Sequence, residues 1–539
     1  MRQEIIISIH KNEYLSDALK RQGFENLPSN CMINKTFPGI GATYCELVAA
    51  RNSIIIEPNI PAVKGKVMKH KNALGIYDEV EFEDISHYLQ QPEWKKIVTT
   101  SEYYPVVKKI MNELGLNMFD NYFLLFDECE KAIFDMVSHA AAEELMNDFF
   151  LFTNRSFISS TCFFAEDIRM KRHDFSIMKI QPEYEVCREN LQLITTNNIA
   201  ESLLSVMDTL DGTVCIFCHA IETIHSLIRD VPELGKGYIF CDEEFPVRQY
   251  DNKLIKKETG MTKLNRYNLF TFRFHSGVDI EVSSPPHVII ISDLSQNVSS
   301  VIDPQTETIQ IAGRFRKGVK SIVHISNIQP ELKCLTSRQV YLWLQGAKKV
   351  YSGWLRKMNS ATNDGIADLL QEAIRKNRYI RFMDKEGNPN PYYIARFIEK
   401  ERIKSLYTKE KSLRDAYAAT GCFDLSFSRE VHIFSDEDRI HFHQKYTQEG
   451  RNHLLLTRFE QLEVLRKVRS AKAQERYQYL VNRLISTASD RFLYDCYLKY
   501  GSDFIRNSGF REQFMRKELS KLNHIREEKR KRSENKTAQ

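Results

Sequence analysis

The chain is 539 residues long, 42% hydrophobic and 27% charged, with a formal net charge of +5, which is too long for one core and ordinary for soluble globular protein. No run approaches the roughly 20 apolar residues that span a bilayer, and Met1-Arg2-Gln3-Glu4 opens without a secretory pattern, so a cytoplasmic protein without membrane contact is expected. Eleven cysteines, an odd number scattered singly, exclude a disulfide framework.

Charge is unevenly spread. Residues 1–330 carry a net −10 and residues 331–539 a net +15, so contact with a polyanion is expected in the carboxyl-terminal part.

In chain order, a strand (Ile5 to Ile7) and a helix (Tyr14 to Gln22) precede Met32-Ile33-Asn34-Lys35-Thr36-Phe37-Pro38-Gly39-Ile40-Gly41-Ala42-Thr43. Strand, glycine turn and helix start follow one another there. Such a turn lets backbone N–H groups face a phosphate, and the Thr43 hydroxyl is placed to ligate magnesium. The lysine usual in a phosphate loop is replaced by Ala42, and Lys35, at the end of the feeding strand, is the nearest cation able to substitute. A lysine turned out to solvent is the competing reading of Lys35.

Apolar strands at Asn52 to Pro58 and Lys96 to Ser101 read as parallel strands of α/β units. Tyr122-Phe123-Leu124-Leu125-Phe126-Asp127-Glu128 then sets two acids at the carboxyl end of an apolar strand, where a parallel sheet gathers ligand-binding groups. Asp127 suits a magnesium ion, and Glu128 suits the activation of an attacking water. A strand at Phe149 to Phe152 and a hydroxyl turn with Ser159, Ser160 and Thr161 follow, the turn able to hydrogen-bond the acid pair. Residues 165 to about 200 are polar and read as an inter-domain crossing.

A second α/β set takes strands at Thr213 to Phe217, Tyr238 to Phe240, Leu269 to Phe274, Val288 to Ile291 and Ser321 to Ile325. Cys215 and Cys218 form a CxxC inside a strand pattern and read as core packing rather than a metal pair. A turn carries Gly277 and Asp279, and a helix presents Gln310, Gly313, Arg314 and Arg316. Always-charged, fork-shaped guanidinium groups at that spacing suit a phosphate chain in which charge builds during hydrolysis.

In order and content these motifs resemble those of superfamily 2 helicases and translocases, over roughly residues 30–330. The resemblance implies two tandem RecA-like P-loop domains of α/β class that bind ATP and Mg2+ in the cleft between them. It assigns Gly39, Gly41, Ala42 and Thr43 to the phosphate loop, Thr43 and Asp127 to magnesium, and Glu128 to water activation. Ser160 and Thr161 become the coupling motif, Gly277 and Asp279 the fifth motif, and Gln310, Gly313, Arg314 and Arg316 the sixth. Ala42 departs from the pattern, Glu130 stands where related members have Asp or His, and Arg316 falls one position early. The Gly-Arg-Phe-Arg form resembles viral and mobile-element members, which implies replication or phage proteins as partners and a bacterial host cytoplasm.

The last 200 residues show helical periodicity, at Ala361 to Lys376, Phe459 to Ser486 and Asp490 to Phe504. Within Gln339 to Met358, Tyr341, Trp343, Tyr351 and Trp354 alternate with Lys348, Lys349, Arg356 and Lys357, a pattern that serves either base stacking or helix packing. His441 and His443 lack further ligands at metal spacing, and the tail from Arg526 reads as a solvated basic end.

The expected division is therefore 1–170 for the first RecA-like domain, 171–200 for a linker, 201–330 for the second domain and 331–539 for a basic, mainly helical accessory domain. The expected function is an ATP-driven helicase or translocase on nucleic acid, DNA rather than RNA. Two alternatives stand beside it, a helicase-fold binding protein with little or no ATPase, and a phage packaging terminase motor.

Overall fold

The computed structural model describes residues 4–36, 40–78, 80–129, 140–159, 167–184, 188–241, 256–258, 264–275, 280, 282–315, 317–384, 387–442 and 447–521. Two eight-stranded sheets organise the chain. The first holds β1 (Glu4–Ile9), β2 (Cys31–Asn34), β3 (Ser53–Glu57), β4 (Ala73–Ile76), β5 (Lys96–Thr100), β6 (Phe123–Asp127), β7 (Asn154–Ser159) and β8 (Ser176–Pro182), in the order β1-β8-β2-β7-β6-β3-β5-β4. The second holds β9 (Glu189–Thr196), β10 (Val214–Cys218), β11 (Tyr238–Phe240), β12 (Lys256–Glu258), β13 (Tyr267–Phe270), β14 (His287–Ser292), β15 (Ser321–Ser326) and β16 (Phe423–Glu430), in the order β12-β11-β13-β10-β14-β15-β9-β16.

Every described pairing within both sheets is parallel. The continuous apolar runs explain why. Successive residues of a strand face opposite sides: Leu124 and Phe126 enter one core layer and Phe123 and Leu125 the other. In the second sheet Ile289 and Ile291 point one way and Val288 and Ile290 the other. Both faces are thus covered by helices, as parallel sheets require, and this is the two-domain α/β architecture expected of tandem RecA-like domains. Cys218 and Cys215 likewise fall in opposite layers, so the CxxC packs into cores and its thiols are pushed up by burial.

Several segments differ from the sequence reading. Phe149 ends a helix, Ala140–Phe149, and the strand lies further on at β7; Phe149 stacks on Phe157 of that strand, ring centroids 4.0 Å apart, so its apolar run serves helix-on-sheet packing. The 171–200 stretch is no bare crossing, since β8 pairs with β1 and β2 in the first sheet and β9 with β15 and β16 in the second.

The segment after 330 also does more than append helices. β16 extends the second sheet, and helix Pro391–Leu406 reaches both domains. Tyr392 is buried in the first domain's core, while Arg402 pairs with buried Asp303 at 2.7 Å and Tyr407, at the helix end, enters the second domain's core. The chain accordingly divides into compact units at 430/431 rather than 330/331. Unit 431–539 is mainly helical where described, with Gln448–Lys467, Ala471–Leu484 and Ala488–Asn507 around a core that includes Leu455, Phe459, Val481 and Leu493.

The aromatic and basic segment proves to be helix Ser337–Asn359. Trp343 packs on Phe382 and Phe397, and Tyr351 on Tyr379, so these two rings serve packing. No described helix is long and apolar enough to cross a membrane.

Candidate active site

A parallel sheet brings all its carboxyl ends to one edge, and the candidate site lies on that edge of the first sheet. The strand order places β7 between β2 and β6. Lys35 after β2, Ser159 at the end of β7, Asp127 and Glu128 at the end of β6 and Glu57 at the end of β3 thereby become neighbours.

Lys35 does not turn out to solvent. It is 6% exposed, and its Nζ lies 3.0 Å from Asp127 Oδ1 and 3.0 Å from Glu128 Oε1. Burial works against its charge, but Asp127 and Glu128 outweigh burial and hold the ammonium well above the ordinary lysine range. Asp127 answers in kind: burial opposes its ionisation, Lys35 and Lys66 overcome that, and its carboxyl is held well below the usual range.

The other oxygen of Asp127, Oδ2, accepts from the Thr43 hydroxyl. Thr43 lies in the first turn of helix Ala42–Val48, with Gly41 before it. Gly41 has φ +80°, and a Cβ there would stand 3.2 Å from Tyr14 Cδ1, so the turn demands glycine on both counts. Ala42 is buried at the helix start. Tyr14 and Tyr44 flank the turn as an exposed aromatic pair, centroids 6.4 Å apart.

Glu128 sits at φ +44°, a left-handed conformation that costs a non-glycine residue about 1–2 kcal/mol. Its Oε2 accepts from Ser159 Oγ at 2.9 Å and from Gln310 Nε2 at 3.4 Å. Gln310 comes from the second domain, on helix Glu307–Gly313, and Arg314 caps that helix with its Nε donating to the Gln310 carbonyl oxygen at 2.9 Å. Arg314 is 6% exposed, and its own carbonyl accepts from Ile280 N.

Thr43, Asp127, Glu128, Lys35, Gln310 and Arg314 are therefore all placed, the first five in one hydrogen-bonded set. Gly39, Ser160, Thr161, Gly277, Asp279, Arg316, Glu130 and His443 lie outside the described residues.

Ser159, the first hydroxyl of the turn read from the sequence, is the described partner of Glu128. Sequence reasoning missed two participants, Glu57 and Lys66. Buried Glu57 and half-buried Lys66 form a pair at 3.0 Å, and Lys66 Nζ also lies 3.5 Å from Asp127 Oδ2. Burial first, and then the Asp127 charge, push the Glu57 carboxyl up, with Lys66 opposing them. Glu57 as the polar end of an apolar strand had the same signal as Asp127, but Lys66 had none: it sits seven residues into helix Ile60–Lys69, and only the backward tilt of helical side chains aims it at the strand end.

Thr43 Oγ and the ionised Asp127 Oδ2 are adjacent hard oxygen donors, a set that fits a cation such as Mg2+. Among the described residues, no group of three or more His, Cys, Asp or Glu is arranged to hold a metal by itself.

No family model and no curated protein matches the chain. Among solved structures, it is similar to S. cerevisiae Dbp5 bound to RNA and ADP BeF3, at 16% identity over 56% of this chain and 80% of that one, with a TM-score of 0.39. It is similar to the DEAD-box helicase Mss116 bound to ssRNA and UDP-BeF, at 10% identity over 78% and 100%, TM-score 0.41. A third is the Mycobacterium smegmatis helicase Lhr bound to ssDNA and AMP-PNP, at 10% identity over 58% and 46%, TM-score 0.34. At these scores the likenesses carry no argument of their own, and the fold rests on the two sheets.

Proposed function

We propose that the chain is a nucleic-acid-stimulated ATP hydrolase of superfamily 2 helicase or translocase type, acting between its two RecA-like domains. The observation that carries this reading is the Gln310 to Glu128 hydrogen bond, which joins the helix bearing Arg314 to the acid pair of the other domain. A site split in this way can be made or broken by domain movement, which is how hydrolysis is coupled to motion along a strand.

In this reading Glu128 accepts the proton of the attacking water, Ser159 and Gln310 fix its carboxylate, and Lys35 takes the place of the lysine absent at Ala42. The arriving triphosphate draws Lys35 away from Asp127 and Glu128, freeing the base as it neutralises the phosphates. Arg314, with Arg316 beyond it, meets the charge that develops in the transition state. Magnesium held at Thr43 and Asp127 would supply further charge neutralisation. Gly39 and Gly41 belong to the phosphate turn, Ser160 and Thr161 to the coupling segment, and Gly277 and Asp279, the fifth motif, to the nucleotide-binding set.

The nucleic acid, DNA first, is the polyanion for the basic carboxyl-terminal part; in residues 431–539 Lys and Arg outnumber Asp and Glu by 23 to 15. Phosphate release measured with and without single-stranded DNA or RNA tests the reading. Stimulation by a strand is expected, with strand affinity falling steeply in salt, each neutralised phosphate adding roughly 0.7–0.9 to the logarithmic slope. No release under any of these conditions would sink it. Ala42 favours a second reading, a strand-binding protein that holds nucleotide without turning it over, and nucleotide binding without phosphate release would select that one.

A further inference from the structure

The acid pair alone does not account for the charge at this site. Glu57, 3% exposed, and Lys66 add a third carboxylate and a second ammonium, carried by β3 and the helix that follows it. Lys66 is shared: its Nζ is 3.0 Å from Glu57 Oε1 and 3.5 Å from Asp127 Oδ2, the oxygen that also accepts from Thr43. Its side chain is 27% exposed, against 2% for Glu57 and 4% for Asp127. Of the three, only Lys66 has room to move.

We propose that Glu57 and Lys66 are a positioning pair that sets how tightly a divalent cation is held at Asp127. The inference rests on the nucleotide-site reading above and names residues that reading does not use. A divalent cation on Thr43 and Asp127 Oδ2 stands within a few ångströms of the Lys66 ammonium, and like charges at that separation in a buried site repel strongly. Lys66 must withdraw from Asp127. Glu57 provides the anion that keeps the withdrawn ammonium solvated in place, so the pair acts as a latch with two positions, one on Asp127 and one on Glu57 alone.

The two members therefore act in opposite senses. Glu57→Gln leaves Asp127 as the only anion for Lys66, so the ammonium competes harder and cation affinity falls. Lys66→Met removes the competitor, and affinity rises. Because Glu57 works through Lys66, Glu57→Gln has little effect in a chain that already carries Lys66→Met, a non-additivity that a simple electrostatic attraction between Glu57 and the cation would not produce.

The test is Mn2+ binding to the full chain in the presence of AMP-PNP, read from the EPR signal of free Mn2+, with circular dichroism to establish that each variant is folded. Glu57→Gln is expected to weaken Mn2+ binding about tenfold, the effect of one interaction worth a pKa unit, and Lys66→Met to tighten it by roughly threefold or more. In the double variant, adding Glu57→Gln to Lys66→Met shifts affinity less than about threefold. Folded variants that shift in the same direction, or that do not shift, or an equal Glu57→Gln effect in both backgrounds, overturn the pair while the nucleotide-site reading stands. A wild-type chain with no nucleotide-dependent Mn2+ site overturns both.

Discussion

The two sheets share an all-parallel build, yet the polar groups described along their carboxyl edges differ. Along its carboxyl edge the first sheet gathers Glu57, Asp127 and Glu128 against Lys35 and Lys66, buried charges bound to one another. In the second sheet the described hydrogen-bond partners of the polar groups at the ends of β14 and β15 are neutral. Asp293, fully buried, accepts from Asn327 Nδ2 at 3.0 Å and Gln296 N at 3.1 Å. His324 is hydrogen-bonded to the Tyr417 hydroxyl at 2.7 Å and Ser292 at 3.0 Å, and Ser292 to the Tyr407 hydroxyl at 3.1 Å. The tyrosines come from the segment after residue 390, so the second sheet is closed by its own chain. Buried charge clusters are costly to maintain and give little net stability, whereas satisfied neutral networks rigidify a core. The contrast separates an edge crowded with buried charge from one held by hydrogen bonds between neutral groups.

The sharpest way to break this comparison is Glu128→Gln. It keeps the shape of the side chain and removes the base, so turnover is expected to fall by about 100-fold or more while nucleotide binding, read by fluorescence of a labelled nucleotide, persists. Unchanged turnover would make Glu128 a structural acid like Asp293.

Lys35→Ala comes next. If Lys35 serves the phosphates, nucleotide affinity or turnover drops by about tenfold or more, equivalent to roughly 1.4 kcal/mol. Loss of thermal stability with both constants intact would mean that Lys35 only balances buried acids, and the two edges would then differ in stability alone.

The smallest effect sharpens the other side. Burial depresses the His324 pKa to about 3, below the ordinary value of about 6.5. A histidine kept neutral in the fold contributes stability that is complete above the unfolded value and is lost as pH falls from about 6.5 toward 3, at up to about 1.4 kcal/mol per pH unit. Urea midpoints taken at pH 7 and pH 5 should fall for the wild type, and fall less for His324→Gln, which cannot titrate. Parallel slopes for the two proteins would remove His324 from the account.

How much was legible follows from what each signal depends on. The apolar runs of β3, β6, β10 and β14 declare strands buried on both faces, because an alternating pattern would have meant one wet face, and Asp127 and Glu128 at the end of such a run mark the carboxyl edge on which the candidate site lies. Thr43 and Gln310 were likewise legible from local motif spacing. Lys35 was legible as a candidate cation but its direction was not, because nothing local separates a lysine that turns to solvent from one that turns inward; the sheet order decides the direction, by laying β7 and then β6 beside β2. Ser159 was legible as part of a hydroxyl turn able to bond the acid pair, and the pairing of β7 with β6 brings its hydroxyl to Glu128.

The sequence by itself determined the two α/β domains, their order and the acidic strand end, all of which arise from short-range patterns of hydrophobicity and turn chemistry. Only the tertiary structure decided that Glu57 and Lys66 join the site, that helix Pro391–Leu406 reaches both domains and that β16, some 230 residues after β9, completes the second sheet. Each of these depends on contacts between residues distant in the chain, where the pairing is chosen by the global packing of layers and leaves no periodic trace in the segments that meet.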